Sequence, residues 1–469
     1  MILFVGLNDW IIRNMLSSGF KDAIAGEDVK LGGLVYKENY ELYKDELCKT
    51  LRMATYPMDT LKWNEYGDRL NGAAVFLDYA SVSKLARVNN RTLRLMKRQN
   101  VANSSVKTLK LDLKYKFFKL LQPLSIETRF INKFENSIKD LTEFADAVKF
   151  LKGNEVKLVI SCSPETPYDT IWVLAANELG INTYAWIRSW DNITSKISYL
   201  PSTKGLFVWS DLMEKEFKEY YPGYSTEVYK VGSSQFDGHA NKENILPYKE
   251  FCETVGLDPD REFVLYTTGG PHICKDEHLV IDRIANEIDK LGLENKPQLL
   301  VRIHPYAWRT NLKMEFTNEN IVTWPPKDRI EEFRGGKTKG LLDEYKIMVS
   351  TFFYQKININ VASTVTIDSC IFDKPVINIA FDAVPGKKYV NSIAKYYEYD
   401  HYKPLVESGG VRVVYDIDEF KKEFLRYFND PSLDKENRKR IVEMECGVVD
   451  GKAGTRFAEK IAELYLNLN

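Results

Sequence analysis

A histidine and an arginine near the middle of the C-terminal half are spaced to act on one ligand. They lie in the segment Val301-Arg-Ile-His-Pro305, at the end of an apolar run that predicts a strand. Side chains two residues apart on a strand point to the same face, so Arg302 and His304 could share a ligand. His304 could donate a hydrogen bond to a phosphate or protonate it as it departs. Pro305 ends the ladder pairing of the predicted strand.

A pair of hydroxyl residues forms a second candidate phosphate site. The segment Asn360-Val-Ala-Ser-Thr-Val-Thr-Ile-Asp368 predicts a helix that is opened by Ser363 and Thr364. The free amide groups and positive end of a helix, together with two hydroxyls, favour an anion. Asp368 lies one helical turn after Thr364, on the same face. The alternative is an ordinary helix cap without a ligand.

Small residues follow a third predicted strand of the C-terminal half, in Tyr266-Thr-Thr-Gly-Gly-Pro271. Thr268, Gly269 and Gly270 would allow the backbone to approach a ligand closely. The segment is neither a Walker loop nor a GxGxxG fingerprint. A simple strand-to-helix turn is the alternative to a binding loop.

The N-terminal half places acids after its predicted strands. In Ser189-Trp-Asp-Asn-Ile-Thr-Ser-Lys196, Asp191 could serve as a general base and Lys196 could pair with a phosphate. Asp9 follows the first strand and Glu165 follows a later one, so both are expected beside Asp191. The alternative for Asp191 is the N-cap of a turn.

Short apolar runs that alternate with amphipathic stretches must position these residues. Such alternation predicts an α/β fold with two Rossmann-like parallel-sheet domains facing a central cleft, and ligands in such sheets lie at the carboxyl ends of strands. The predicted strands are Ile2–Val5, Leu31–Tyr36, Ala73–Leu77, Val156–Ile160, Thr183–Ile187, Gly205–Trp209, Phe263–Thr267, Gln298–Ile303, Ile347–Ser350 and Pro375–Ile379.

A chain of 469 residues is too long for one core, so two domains are expected. The polar segment Gly238–Pro259 suggests the boundary. We therefore expect an N-terminal, acceptor-side domain over residues 1–240 and a C-terminal donor domain over 241–469. The amphipathic segment Thr455–Leu468 predicts a last helix, which we expect to pack back on the N-terminal domain.

Composition narrows the class of protein. The formal net charge is −1, so no global field draws the chain to nucleic acid. None of the six cysteines forms a CxxC pair, which is typical of reduced, buried thiols in the cytoplasm. No apolar run is long enough to cross a bilayer. The acidic triplets Asp258-Pro-Asp260 and Asp416-Ile-Asp418 lie in loop or helix-start contexts, so no bound metal is expected.

One stretch departs from this balance. Residues 81–121 carry eleven lysines and arginines against one acid, Asp112, with leucines and phenylalanines interleaved. A solvated helical excursion, extending to about residue 150, is one interpretation. Contact with an anionic membrane surface or a lipid pyrophosphate at the inner face of the membrane is another. Nucleic acid is a weaker alternative, because no binding motif accompanies the charge.

The C-terminal pattern resembles the GT-B glycosyltransferases. Among these, bacterial sialyl- and Kdo-transferases use a His-Pro motif and a paired-hydroxyl motif on the donor phosphate, and His304-Pro305 and Ser363-Thr364 match these. CDP-glycerol glycerophosphotransferases use a similar His-Pro element. The resemblance implies a nucleotide-sugar donor whose phosphate meets His304, Pro305, Ser363 and Thr364. From their positions after predicted strands or in the predicted helix, the expected donor site also includes Thr268, Gly269, Gly270, Arg302, Asp368 and Lys196. The resemblance also implies no cofactor besides the donor, which serves as substrate, and a glycan or lipid-linked acceptor.

The acidic triplet that supplies the base in those sialyltransferases has no counterpart here, so Asp191 would take that role. Asp9 and Glu165 are the other catalytic candidates. The predicted activity is transfer of a sugar to a hydroxyl of a surface polysaccharide or glycolipid. A glycerophosphate or phosphosugar transferase, a UDP-sugar 2-epimerase-like enzyme and a non-catalytic scaffold of a polysaccharide assembly complex are the alternatives.

Overall fold

The computed structural model describes residues 1–59, 91–101, 104–121, 127–197, 199–221, 224–270, 273–274, 276–305, 315–326 and 341–468. The chain forms two compact units. The N-terminal unit comprises Met1–Asp237 together with Glu445–Asn469, and the C-terminal unit comprises Gly238–Met444.

The N-terminal unit is built on a seven-stranded parallel sheet of order β3-β2-β1-β4-β5-β6-β7. Its inner strands are almost completely buried and rich in Val, Ile and Leu, as expected where helices cover both faces. The strands are β1 (Ile2–Leu7), β2 (Leu31–Tyr36), β3 (Ala54–Met58), β4 (Leu158–Ser161), β5 (Asn182–Trp186), β6 (Gly205–Val208) and β7 (Glu227–Lys230).

Helices follow most of these strands. Asn8 begins the first one by accepting a hydrogen bond from the Ile11 amide, and Ser210 caps another in the same way. The helices are α1 (Asp9–Ser17), α2 (Phe20–Ala25), α3 (Lys37–Leu51), α4 (Arg91–Val101), α5 (Ser105–Leu121), α6 (Glu127–Lys139), α7 (Thr142–Gly153), α8 (Pro167–Glu178) and α9 (Asp211–Tyr220), with a π-helical turn at Asn192–Lys196 and a 3-10 turn at Ser234–Phe236.

The C-terminal unit repeats the arrangement with a six-stranded parallel sheet of order β10-β9-β8-β11-β12-β13. Its strands are β8 (Phe263–Thr267), β9 (Gln298–Arg302), β10 (Ile321–Trp324), β11 (Asn358–Asn360), β12 (Val376–Ile379) and β13 (Arg412–Val414). Its helices are α10 (Asp237–Ala240, which starts at the last residue of the N-terminal unit), α11 (Tyr248–Val255), α12 (Glu277–Lys290), α13 (Leu341–Tyr354), α14 (Val365–Ile371), α15 (Lys403–Glu407), α16 (Ile417–Asn429) and α17 (Lys435–Cys446, which ends in the N-terminal unit), with 3-10 turns at Lys242–Asn244, Tyr389–Asn391 and Ile393–Glu398.

The α/β fold class with two parallel sheets is confirmed. Leu31–Tyr36 and Phe263–Thr267 form strands with the predicted bounds. The other predicted strands that the structure describes differ by one or two residues at one or both ends, with one exception. Ile347–Ser350 is not a strand, because this apolar run belongs to the buried face of α13. The predicted strand Ala73–Leu77 lies outside the described residues.

Both acidic triplets serve local structure. Asp416 caps α16 by accepting hydrogen bonds from the amides of Asp418 and Glu419. Asp258 accepts a hydrogen bond of 3.0 Å from the Asp260 amide in a turn. Each triplet thus stabilises a turn or a helix start, as its sequence context suggests.

The last helix, α18 (Ala453–Leu466), belongs to the N-terminal unit and packs on its sheet. Phe457 is buried, and its ring centroid lies 4.4 Å from that of Trp186 and 4.9 Å from that of Phe207. The start of the helix is fixed by Asp237, whose carboxylate accepts hydrogen bonds from the Ala453 and Gly454 amides. The C-terminal segment therefore completes the core of the N-terminal unit.

We predict that Phe457→Ala lowers the free energy of unfolding by about 3–5 kcal/mol, because it removes a ring from a close-packed aromatic cluster. Leu466→Ala is the matched control, since Leu466 lies on the same helix but is 46% exposed. Urea denaturation measures both variants. Equal effects would contradict a core role for α18.

Candidate functional site

The C-terminal sheet has a topological switch point between β8 and β11. From β8 the chain moves to one side to form β9 and β10, and it returns on the other side to form β11. The turns after β8 and β11, which carry Thr268–Gly270 and Ser363–Thr364, therefore diverge from neighbouring strands. In open parallel sheets this geometry leaves a crevice that accommodates ligands.

A buried carboxylate braces the turn after β8. Both oxygens of Glu277, the first residue of α12, accept a hydrogen bond from the Gly269 amide, at 3.1 and 3.0 Å. The Tyr266 hydroxyl donates to the same carboxylate at 3.1 Å. Burial raises the pKa of Glu277 to about 7. The sequence alone did not identify Glu277. Its position could have indicated the contact, because it is an acid at a helix start seven residues after the Gly269-Gly270 turn.

The turn after β9 is tied to the same loop. The Thr268 hydroxyl accepts a hydrogen bond of 2.8 Å from the His304 amide, and the Thr268 amide donates to the Arg302 carbonyl at 3.0 Å. His304 and Pro305 are exposed. Thr268 and His304 are thus brought together by neighbouring strands, with the imidazole at an accessible strand end.

Arg302 is held by a partner that sequence analysis did not identify. Its Nη2 forms an ion pair with Glu344 of α13, and Glu344 also accepts a hydrogen bond of 3.2 Å from Trp324 Nε1. Arg302 Nη1 is buried without a hydrogen-bond partner among the described residues. The guanidinium is therefore oriented by Glu344.

The turn that carries Ser363 and Thr364 rests on buried amides. Asn360 Oδ1 accepts hydrogen bonds from the Ser363 amide at 3.2 Å and from Asn378 Nδ2 at 3.0 Å. In the turn between Asn360 and Ser363, Ala362 takes a left-handed conformation, with φ of 38°. Ser363 and Thr364 themselves are partly exposed ahead of the short α14. The network fixes the backbone and leaves the two hydroxyl residues at the surface.

Asp368 lies in the interior of the C-terminal unit and not at the accessible strand ends. Its Oδ1 is 2.8 Å from Nε2 of His239, and both side chains are buried. The His239 ring also stacks on Phe372, with centroids 5.2 Å apart. The Asp368 carboxylate is thus engaged by a histidine 129 residues away in sequence, and its role at a donor phosphate stays a prediction.

Two lysines follow β12 in a region that sequence analysis did not single out. Lys387 Nζ is 3.4 Å from Asp382 and 3.8 Å from Asp276, which immediately precedes α12. Burial lowers the pKa of Lys395 to about 8, and its Nζ donates to the Val390 carbonyl. These cations stand beside the same group of strand ends as the Gly269 turn.

The N-terminal sheet has its own switch point, between β1 and β4. Glu165, after β4, forms an ion pair with Arg188, which follows β5. The Arg188 guanidinium lies over the Trp10 ring, 5.5 Å from its centroid, beside Asp9 at the start of α1. Glu165 Oε2 is buried without a hydrogen-bond partner among the described residues. Arg188 thus connects the strand ends that carry Asp9 and Glu165.

A second buried carboxylate braces this edge. Asp169 accepts hydrogen bonds from the Ser161 hydroxyl at 2.7 Å and from the Ser163 amide at 2.8 Å. Burial raises its pKa to about 7. Gly6 has φ of 81°, and a Cβ there would come within 2.4 Å of Asp169 Oδ1. Only glycine therefore fits where β1 passes this carboxylate.

Asp191 and Lys196 are paired with each other. Asp191 Oδ2 is 2.9 Å from Lys196 Nζ, and Asp191 Oδ1 accepts a hydrogen bond of 2.6 Å from the Ser189 hydroxyl. Lys196 ends the π-helical turn and is half exposed. The pairing orients the Asp191 carboxylate and occupies the lysine that was predicted to meet a phosphate.

Within the described ranges, no group of three or more His, Cys, Asp or Glu side chains is arranged to hold a metal ion. No helix in that part of the chain is long and apolar enough to cross a membrane.

Comparison with known proteins identifies the fold. No protein-family model matches the chain, and no curated protein matches it in sequence. Among solved structures, UDP-GlcNAc 2-epimerase from Neisseria meningitidis bound to UDP-GlcNAc is similar with a TM-score of 0.56 at 11% identity, covering 98% of this chain and 99% of that one. The S. aureus MnaA structure with UDP gives 0.52 at 12% identity, over 100% and 97% of the two chains.

UDP-GlcNAc 2-epimerase from Methanocaldococcus jannaschii is similar with a TM-score of 0.50 at 12% identity, over 98% of this chain and 99% of that one. At such low identity these likenesses show the fold alone. The chain has a GT-B-like fold of two parallel-sheet α/β domains.

The two raised carboxyl pKa values predict a pH dependence of stability. The folded-state pKa of Glu277, about 7, exceeds its ordinary value of 4.5, so the folded state binds the proton more tightly than the unfolded state. The stabilisation is present below pH 4.5 and is lost as the pH rises towards 7. We expect that Glu277→Gln removes up to about 3 kcal/mol of this pH-dependent decrease in the free energy of unfolding. Urea denaturation between these pH values measures it, and an unchanged pH profile would contradict the assignment.

Proposed function

We propose that the protein is a nucleotide-sugar-dependent glycosyltransferase that binds the donor phosphates at the β8–β11 switch point of its C-terminal unit. The observation that carries the proposal is the convergence of polar turns at this point. The Gly269 turn and the Ser363–Thr364 turn flank the crevice, and the His304 amide is bonded to Thr268 of the first turn. The GT-B-like fold supports the proposal, since the similar structures include complexes with UDP and UDP-GlcNAc.

The proposed chemistry needs stabilisation of a departing nucleotide phosphate. Hydroxyls at Ser363 and Thr364, the unpaired Nη1 of Arg302 and the exposed His304 are donors suited to that charge. Glu344 already fixes the orientation of the Arg302 guanidinium in the free protein. Binding a phosphate would therefore cost little additional side-chain entropy. In this scheme His304 protonates or hydrogen-bonds the leaving phosphate, and no metal or additional cofactor is required.

The proposed acceptor is a hydroxyl of a glycan or lipid-linked glycan that binds to the N-terminal unit. Asp191 is the proposed general base, since Ser189 and Lys196 hold its carboxylate and its side chain is 19% exposed. Glu165 and Asp9 lie at neighbouring strand ends. Arg188 lies between the Glu165 carboxylate and the indole ring of Trp10. We assign this second cluster to positioning the acceptor, because Glu165 is already paired with Arg188.

A second candidate function is epimerisation of a nucleotide sugar. It is favoured by the likeness to UDP-GlcNAc 2-epimerases over nearly the full chain. The two reactions differ in their demand for an acceptor, because transfer forms a bond to an acceptor hydroxyl and epimerisation inverts C2 of the sugar without one.

We predict that one of UDP, GDP, CMP, CDP or dTDP raises the Tm of the full chain by mass action. Replacing Ser363 and Thr364 together by alanine should abolish this shift, because both phosphate-facing hydroxyls are lost. Thr254→Ala is the matched control, since Thr254 is a partly exposed hydroxyl residue on α11. A panel without any shift, or a shift retained in the double variant, would remove the phosphate site.

We further predict that His304→Ala lowers kcat by about 10²–10⁴-fold while the nucleotide-induced Tm shift remains. Release of free nucleotide from a nucleotide sugar, with and without an acceptor glycan, measures transfer. NMR of the same reaction reports the configuration at C2 of the sugar. Inversion at C2 in the absence of acceptor would replace the transferase by the epimerase.

A further inference from the structure

The surface of α5 carries an outward-facing apolar stripe. Val106, Leu109, Leu113, Phe117 and Leu120 are between 55% and 76% exposed. Their spacings of three and four residues place them on one side of the helix. Water-exposed apolar residues in such a contiguous stripe are typical of an interaction surface, whereas scattered ones are not.

The orientation of this stripe is fixed by contacts on other sides of the helix. Asp112 of α5 forms an ion pair of 2.9 Å with Arg98 of α4, and the Thr108 hydroxyl donates to the carbonyls of Val101 and Ser104. Helix α4 is anchored in turn through Thr92 and Leu95, which are buried. The α4–α5 pair therefore holds the stripe outward.

Lysines border the stripe on both sides. At about 100° per residue, Lys110 falls on one flank of the stripe and Lys116 on the other, and both are exposed. Asp112, the acid of this helix, lies away from the stripe and is paired with Arg98. The local charge facing a partner is therefore positive around an apolar centre.

We propose that α5 docks the protein onto an anionic phospholipid surface, with the apolar stripe entering the boundary between headgroups and acyl chains. An apolar face flanked by long cationic side chains matches this surface, because the lysine stems extend along the apolar region while their amines meet the phosphates. A protein groove would match the flanking lysines only if acidic residues lined both of its rims, whereas an anionic bilayer presents phosphates on every side of the stripe. The proposal goes beyond the sugar chemistry and does not depend on it.

The test is co-sedimentation of the full chain with vesicles of phosphatidylcholine alone, or of phosphatidylcholine and phosphatidylglycerol in equal parts. We expect binding to the anionic vesicles that weakens at high salt, and weak binding to the neutral ones. Leu113→Glu should reduce binding at least about ten-fold, because a charge replaces an apolar group that becomes buried.

Leu42→Glu is the matched control, because Leu42 of α3 is exposed to 54% and Leu113 to 55%. It should bind as the unmodified chain does. Changing both Lys110 and Lys116 to Gln should weaken binding about five-fold per lysine.

Three results would overturn the proposal. One is failure to bind anionic vesicles, and another is equal binding to neutral and anionic vesicles. The third is equal loss in Leu113→Glu and Leu42→Glu. Light scattering of the unmodified chain and of Leu113→Glu tests self-association. If the chain binds no vesicle and Leu113→Glu converts a dimer into a monomer, the stripe is a self-association surface.

Discussion

The candidate sites depend on one recurrent interaction, a buried carboxylate that satisfies the backbone of a strand-end turn. Strand ends leave amide groups without ladder partners, and buried amides must find acceptors. Asp169 accepts from the Ser163 amide in the N-terminal unit, and Glu277 accepts from the Gly269 amide in the C-terminal unit. Both side chains are buried, and burial raises the pKa of each to about 7.

These braces fix the backbone of each turn from the interior. In the C-terminal unit, Glu277 engages the Gly269 turn from the interior, while Asn360 does the same for the turn of Ser363. Arg302 follows the same principle, since Glu344 holds one side of its guanidinium. Groups held from behind bind a ligand with little loss of conformational freedom, which favours a preorganised phosphate site.

Much of the fold follows from sequence pattern, because buried parallel strands are short apolar runs between amphipathic helices. Two of the strands that escaped prediction, β11 and β3, lack this pattern. Strand β11 is Asn-Ile-Asn, whose amides serve a buried polar network, and β3 is half exposed at the sheet edge. The apolar run Ile347–Ser350 was wrongly predicted to be a strand, because a buried helix face contains the same residue types.

The candidate site was predictable only in part. The strand-end positions of His304, Ser363 and Glu165 follow from local signals. Pairings over long sequence separations do not, and three of them matter here. Asp368 meets His239, Arg302 meets Glu344 and Glu165 meets Arg188, each through tertiary packing that one sequence cannot reveal.

Hydrogen–deuterium exchange of the full chain tests the central claim most directly, with and without the nucleotide that most raises its Tm. We predict that saturating nucleotide slows amide exchange in the turns at residues 268–270 and 362–364. Slowed exchange confined to other segments, with both turns unchanged, would contradict a phosphate site at the β8–β11 switch point.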